Sequence, residues 1–340
     1  MQVIDGGHGD GADEAEGARG YRRDGTARLM VTAARDRGQA PRHGGRAASA
    51  GWSAGAEPVR FSGRPARSVT TASRQALAAL LRRDLVVLKK NAGEFVARTL
   101  VQPLLLTFVF LYVFPLIGQS VGGSGHGGSS AFATVLVPGV VGISMMFQGV
   151  QSVALQLSTE FGYTREIEDR VQAPCPIELV ALAKIFSGAI QGIIAAALVF
   201  PIAAVVHADD VEAHLSVDWA IALTLIPLVA VTMASLGLVL GTSFQPRNIG
   251  LMFGFVILPI TFLGGTYYQW TRLDPVQVGG FHWLQVLVLV NPLIYVNEGL
   301  RAGFTHLGHM HLYIVYPVLV GFLALFLALG LHNFRRKVLS

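Results

Sequence analysis

The chain has little of what soluble catalysts use. One cysteine, Cys175, stands among 340 residues, so no intramolecular disulfide forms and no zinc site with paired cysteines can be built. Charged residues make up only 14% of the chain, against about a quarter in ordinary soluble domains. With 52% hydrophobic residues and a mean hydropathy of +0.52, an ordinary soluble domain is excluded. No Gly-x-x-x-x-Gly-Lys-Ser/Thr loop occurs, so the chain is not itself a P-loop ATPase, and no His-Glu-x-x-His zinc motif occurs. Gly142-Ile143-Ser144 is a weak serine-nucleophile context. With no histidine expected in the spans to activate it, Ser144 reads as a small packing residue. His306, His309 and His311 read as solvated loop histidines rather than metal ligands. The apolar segments are nearly free of ionisable groups, Lys184 near the end of one being the exception. A gradient-driven transporter needs a group within the bilayer to hold its coupling ion. Any energy source is therefore expected outside this chain.

What is there is hydrocarbon in long runs. Segments at roughly 100–118, 134–157, 179–206, 219–243, 249–268 and 312–333 are each long enough to cross a core of about 30 Å. The run 283–293 is too short and carries Asn291 and Pro292, which predicts a re-entrant or interfacial hairpin. The predicted fold is an all-α membrane protein of six transmembrane helices. An amino-terminal interfacial helix precedes them, and an outer re-entrant hairpin lies between the last two spans.

Positive charge orients such a bundle, because Lys and Arg at span ends stay in the cytoplasm. Placing the amino end inside puts Arg165, Arg170, Lys184, Arg247, Arg335, Arg336 and Lys337 on that side, against Arg272 and Arg301 on the other. Seven against two predicts both termini inside a bacterial plasma membrane, which agrees with an even number of spans. The net charge of +5 lies mostly in the first hundred residues and at span edges. It reads as membrane-surface attraction and topology, not as a nucleic-acid footprint.

Three regions follow. Residues 1–70 are rich in Ala, Gly and Arg, with no Lys and no apolar periodicity, which is the composition of a disordered cytoplasmic extension. No signal-peptide pattern begins them, and initiation at Met30 or later is a further expectation. In 71–99, Leu77, Leu80, Leu81, Leu85, Leu88, Ala92, Phe95 and Val96 recur at helical spacing among Arg82, Arg83, Lys89 and Lys90. This predicts an amphipathic connecting helix on the inner leaflet, with a cytosolic helix packed on a partner as the alternative. Residues 100–340 hold the spans. Prolines 115, 138, 201, 227, 259 and 317 fall one to a span and predict bends. Gly188/Gly192, Gly237/Gly241 and Gly250/Gly254 permit close helix contact.

The island 164–170, bounded by Pro174 and Pro176, cannot lie in lipid and must be a loop at a membrane face. It belongs to one of four landmarks: Val137-Pro138-Gly139; Arg165 to Pro174 (Arg165, Glu166, Ile167, Glu168, Asp169, Arg170, Val171, Gln172, Ala173, Pro174); Leu258-Pro259-Ile260-Thr261-Phe262-Leu263-Gly264-Gly265-Thr266-Tyr267-Tyr268; and Asn291-Pro292-Leu293-Ile294-Tyr295 with Glu298-Gly299-Leu300-Arg301. In register with six spans, these make residues 73–337 resemble the permease subunits of ABC-2-type ATP-binding-cassette exporters.

The resemblance implies a function and partners. Residues 160–176 would be the coupling helix, with Arg165, Glu166, Ile167, Glu168, Asp169, Arg170 and Pro174 meeting a separate ATPase subunit, and 73–99 the connecting helix. Gly264 and Gly265 would turn the chain into paired short helices closing the outer mouth, with Asn291, Pro292, Glu298 and Arg301 in that gate. The chain would be a transport subunit and not an enzyme. It would bind no cofactor itself, since ATP and Mg would belong to the partner. A second permease copy would complete the pathway, as a homodimer or a heterodimer of related permeases. The implied cargo is an amphipathic drug, natural product or lipid, passing Phe147, Gln148, Gln151, Ser152, Gln156 and Thr261. The alternative that these Gln and Ser side chains bond across helices stays open. Export of a polysaccharide or glycolipid is the second reading, and a polytopic membrane enzyme or scaffold the third.

Overall fold

The computed structural model describes residues 69–117, 126–164, 176–207, 213–277 and 280–339. The described residues are overwhelmingly helical. Six helices are long and apolar enough to cross a membrane. In chain order, α1 is Val69–Lys90, α2 is Ala92–Leu116, and α3 is His126–Thr159, continued by a π turn at Glu160–Thr164. Helices α4 (Ile177–Val205) and α5 (Trp219–Ser243) follow. Then come α6 (Pro246–Leu263), the short α7 (Trp283–Val288) and α8 (Pro292–Phe304), and α9 (Leu312–Leu339).

The amphipathic pattern of 73–99 divides at Asn91, which leaves helical geometry at φ −105°, ψ 24°. Backbone bonds from Asn91 N to Val87 O (3.1 Å) and from Phe95 N to Asn91 O (3.0 Å) make this a bend rather than a gap. Residues 92–99 therefore belong to the first span, where Phe95 and Thr99 are buried. Helix α1 keeps Leu77, Leu80, Leu81 and Leu88 half-buried and Arg82, Arg83, Lys89 and Lys90 exposed, and it packs on α4.

Helices α3, α4 and α5 form the centre, each in contact with the other two. Within the apolar 18-residue stretch of each span, 72% of α3, 50% of α4 and 61% of α5 is buried, against 22%, 17% and 17% for α2, α6 and α9. The three outer spans thus turn most of their apolar surface outward, as in Phe255 and Phe262 of α6, which suits contact with lipid. Small residues set the central spacing. A Cβ on Gly188 would lie 2.6 Å from Val153, one on Gly237 2.9 Å from the Val150 backbone, and one on Gly241 2.8 Å from the Ala154 Cα. The third pair differs: Gly250 and Gly254 have nothing within 4 Å of such a Cβ, so they mediate no helix contact within this chain.

The prolines lie within helices as predicted, and two are preceded by π turns, Phe108–Val113 before Pro115 and Phe253–Ile257 before Pro259. A proline withholds a backbone donor, and a widened turn upstream accommodates the change in bonding. Hydroxyls bond back along their own helices, for example Thr232 to Leu228 O (2.7 Å) and Ser235 to Val231 O (2.7 Å). Ser144 does the same, donating to Val140 O at 2.7 Å. His332 does fall within α9, contrary to the expectation of no histidine in the spans, while Ser144 keeps its packing role.

Replacing Gly237 by Val should cost about 1–3 kcal/mol through overpacking, whereas Gly250→Ala should leave stability nearly unchanged. Thermal unfolding followed by size-exclusion chromatography distinguishes the two, and equal losses would contradict this packing.

Candidate functional site

Polar side chains gather in two places at opposite ends of the bundle. The first is where α6 ends and the chain returns through α7 and α8 to α9. Gly265 sits at φ +68°, a conformation glycine adopts without strain, and this turn re-aims the chain after α6. Asn291 caps α8, its Oδ1 accepting from Leu293 N at 2.9 Å, while its Nδ2 donates to Ile260 O of α6 at 2.7 Å. Pro292 occupies the first helical position, where its missing donor costs nothing.

Asn297, Glu298 and Arg301, within little more than one turn of α8, then hold that chain reversal. Asn297 Nδ2 donates to Gly264 O (2.7 Å) and to Thr266 Oγ1 (3.2 Å). Arg301 Nη1 donates to Glu298 Oε1 (3.1 Å), and its Nη2 to Gly265 O (2.5 Å) and Thr266 O (3.3 Å). Glu298 accepts from Trp270 N through Oε1 and from Met310 N through Oε2, both at 2.9 Å. Asn297, Glu298 and Arg301 are fully buried. From α3, Gly139 faces the Thr266 carbonyl and Gly142 the Asn297 carboxamide, each so closely that a Cβ would collide. Three of the four sequence landmarks therefore meet in one knot. The segment before α5 joins it, with Ser216 N donating to Phe304 O and Asp218 N to Gly303 O (both 2.9 Å).

The second gathering runs from mid-span toward the other end, where α1 and α2 meet α3 and α4. Thr99 Oγ1 donates to Gln148 Oε1 (3.1 Å), and Gln148 Nε2 to Gln191 Oε1 (3.2 Å). Further along, Lys184 Nζ donates to Gln156 Oε1 (3.1 Å) and Glu160 Oε1 (2.6 Å). A groove of about 510 Å³ opens onto this ladder, with Arg83, Asp84, Glu94 and Arg98 on its α1 and α2 side and Gln156, Glu160, Lys184 and Gln191 on the other. At the same end, Lys337 Nζ of α9 caps the last carbonyls of α5, at Phe244 O (3.1 Å) and Thr242 O (3.3 Å). Arg335 pairs with Glu178.

The predicted gate residues Gly264, Gly265, Asn291, Pro292, Glu298 and Arg301 are thus brought together. The pathway candidates are not. Gln148 and Gln156 lie in the ladder, and Ser152 bonds Gly149 O (3.1 Å). Phe147 packs against the core, Gln151 is half-buried, and Thr261 donates to Ile257 O of its own helix (2.8 Å). The predicted coupling residues Arg165, Glu166, Ile167, Glu168, Asp169, Arg170 and Pro174 lie outside the described residues. Sequence reasoning missed Asn297, whose polar amide next to Glu298 in an apolar helix was the available signal. It also missed Glu160, four residues after Gln156 on one helical face. Among the described residues no three His, Cys, Asp or Glu side chains gather as a metal site. His309 Nδ1 lies 2.9 Å from Met310 O, and His311 stacks on Tyr313.

An all-helical bundle with six spans, its buried polar groups tying helices to one another, is that of a multi-pass membrane protein. The sequence model of the ABC-2 type transporter family matches residues 75–305. The chain is 31% identical to Inner membrane transport permease YadH of Escherichia coli (strain K12) over 233 residues, which are 67% of this chain and 84% of that protein. The same identity and coverage hold for the permeases of that name from Escherichia coli O157:H7 and Shigella flexneri. The chain belongs to the ABC-2 type transporter family, as a transport permease subunit without enzymatic activity of its own.

Removing either member of the Glu298–Arg301 pair leaves the other charge buried, at a cost of about 3–5 kcal/mol. Arg301→Leu is expected to lower the thermal midpoint sharply. Arg301→Lys should rescue little, because one ammonium cannot reproduce the fork that reaches both Glu298 and the Gly265 and Thr266 carbonyls. A Lys variant as stable as the parent would contradict this geometry.

Proposed function

We propose that the chain is the membrane subunit of an ATP-driven exporter, with hydrolysis performed by a separate ATPase dimer that binds ATP and Mg. The observation that carries this reading is a shared platform. The groove sets Arg83 and Asp84 of α1 beside Glu160 and Lys184, the two buried charges that flank the 165–175 segment. One ATPase seated at that end would touch both the connecting helix and the coupling loop. Charged rim contacts would come from Arg165, Glu166, Glu168, Asp169 and Arg170, with Ile167 packing between them and Pro174 ending the loop.

In this reading α1 lies on the inner leaflet, and both termini are cytoplasmic. Helices α7 and α8 are then a re-entrant pair at the outer mouth. Their support is the length of α7 and α8, too short to span, and the positive-charge asymmetry of the loops. The knot around Glu298 and Arg301 would keep this outer closure rigid while the spans tilt.

The pathway would form between two copies, in a homodimer, because six spans make half of such a transporter and the sequence shows no internal duplication. The cargo is an amphipathic small molecule, such as a drug, natural product or lipid. The polar ladder opening into a groove that also carries Val87, Leu88 and Phe95 suits a molecule with a polar and an apolar part. A polysaccharide or glycolipid is the second reading, favoured by Tyr267, Tyr268 and Trp270 beside the outer knot, where aromatic faces can stack on sugars.

Replacing Glu168 and Asp169 together by Lys should abolish copurification with the ATPase and reduce export at least ten-fold, while the permease stays monodisperse. Binding and export at the parent level would remove the coupling assignment.

A further inference from the structure

The exporter reading uses Glu160 and Lys184 only to mark the platform and gives their ion pair no role, although it is the most deeply buried charged contact at that end of the bundle among the described residues. Lys184 and Glu160 are 4% and 8% exposed, with Nζ to Oε1 at 2.6 Å. Gln156, one turn before Glu160 on α3, shares the same ammonium at 3.1 Å. Packing does not require this contact. Helices α3 and α4 already interlock where Gly188 admits Val153 and Ser152, and a buried ion pair is seldom more stabilising than apolar side chains of the same volume.

Its position is what distinguishes it. Glu160 opens the π turn Glu160–Thr164, the last described part of α3 before the 165–175 segment. Lys184 lies two turns into α4, which begins at Ile177 just after that segment. The contact therefore joins the described chain on either side of residues 165–175. The rest of the ladder, Thr99–Gln148–Gln191, ties α2 to the same two helices.

We propose that Glu160 and Lys184 are positioning residues that clamp the base of the 165–175 segment, so that a push on it moves α3 and α4 as one body. The proposal rests on the exporter reading. Without the clamp, the push would be absorbed by separation of the two helix ends. Hydrolysis by the partner would continue while cargo movement fell behind it. The two helices meet the outer knot through α3, where Gly139 and Gly142 contact it, so a joint tilt reaches the opposite end and a local separation does not.

The test uses the full permease–ATPase complex in proteoliposomes, with a fluorescent amphipathic dye, rhodamine 6G, as the cargo probe, and reads dye moved per ATP hydrolysed, a ratio that a loss of stability alone does not shift. The neutral pair E160Q/K184M keeps the side-chain volumes, and the exchange E160K/K184E keeps the ion pair with reversed charges. The expected result is that E160Q/K184M still assembles with the ATPase but shows at least a ten-fold lower ratio, and that E160K/K184E recovers at least half of the parent value. A parent-like ratio for E160Q/K184M overturns the proposal, as does a failure of the exchange to recover the ratio. If neither variant assembles, the pair is a structural contact only and the proposal also falls. A parent complex that hydrolyses no ATP or moves no cargo defeats the exporter reading itself, and the clamp with it.

Discussion

Hydrocarbon offers no partner for a polar group, so buried donors, acceptors and charges in this bundle are met almost entirely from within the chain, Ser158 Oγ, Asn297 Oδ1 and Arg301 Nε being exceptions among the described residues. That single constraint sorts the side chains. Much of the middle of the central helices is left to alanine, valine and glycine at close spacing, and hydroxyls there bond back to their own carbonyls. Groups that cannot satisfy themselves either pair with one another, in the ladder from mid-span Gln148 and Gln191 to Glu160 and Lys184, or meet irregular backbone at the knot. The knot around α8 is the stricter case. Glu298 and Arg301 have no exposure at all, and each is held by main-chain groups from the turn after α6 and the segment before α9.

Helix α3 connects the two collections. It is the most buried span, and it presents Gly139 and Gly142 to the knot and Gln148, Gln156 and Glu160 to the ladder. From Gly142 to Glu160 is 18 residues, a rise of about 27 Å at 1.5 Å per residue. A helix of that length, packed on α4 and α5 by residues with no room to yield, carries displacement better than it absorbs it. The outer spans α2 and α6 differ. They carry the π turns ahead of Pro115 and Pro259, and little of their surface is buried. The centre is thus closely packed, while the outer spans carry the widened turns and prolines.

Much of this was legible in the sequence because the bilayer imposes its signals locally. Span number and approximate ends follow from apolar run length, the shortness of 283–293 with Asn291 and Pro292 marks a stretch that does not cross, and the turn at Gly264-Gly265 was an implication of the family resemblance. Three landmarks read as separate motifs turned out to be one object. Nothing in a single sequence says that Gly139 must admit Thr266, because a close approach 127 residues apart leaves no periodic trace. Glu160 was hidden for a different reason: the apolar run ends at Leu157, so a carboxylate three residues on counts with the charged island until Lys184 is seen to reach it. The pathway candidates dispersed because glutamine and serine in a bundle serve helix contacts as readily as cargo.

The central claim is that this permease is moved by hydrolysis on a neighbouring subunit. Cargo flux into sealed proteoliposomes, with the permease alone and with its ATPase, in the presence of hydrolysable or non-hydrolysable ATP, tests it most directly. The account predicts flux only when permease, ATPase and hydrolysable ATP are all present. Flux through the permease alone, driven by an ion gradient or by nothing but the cargo's own gradient, would contradict it.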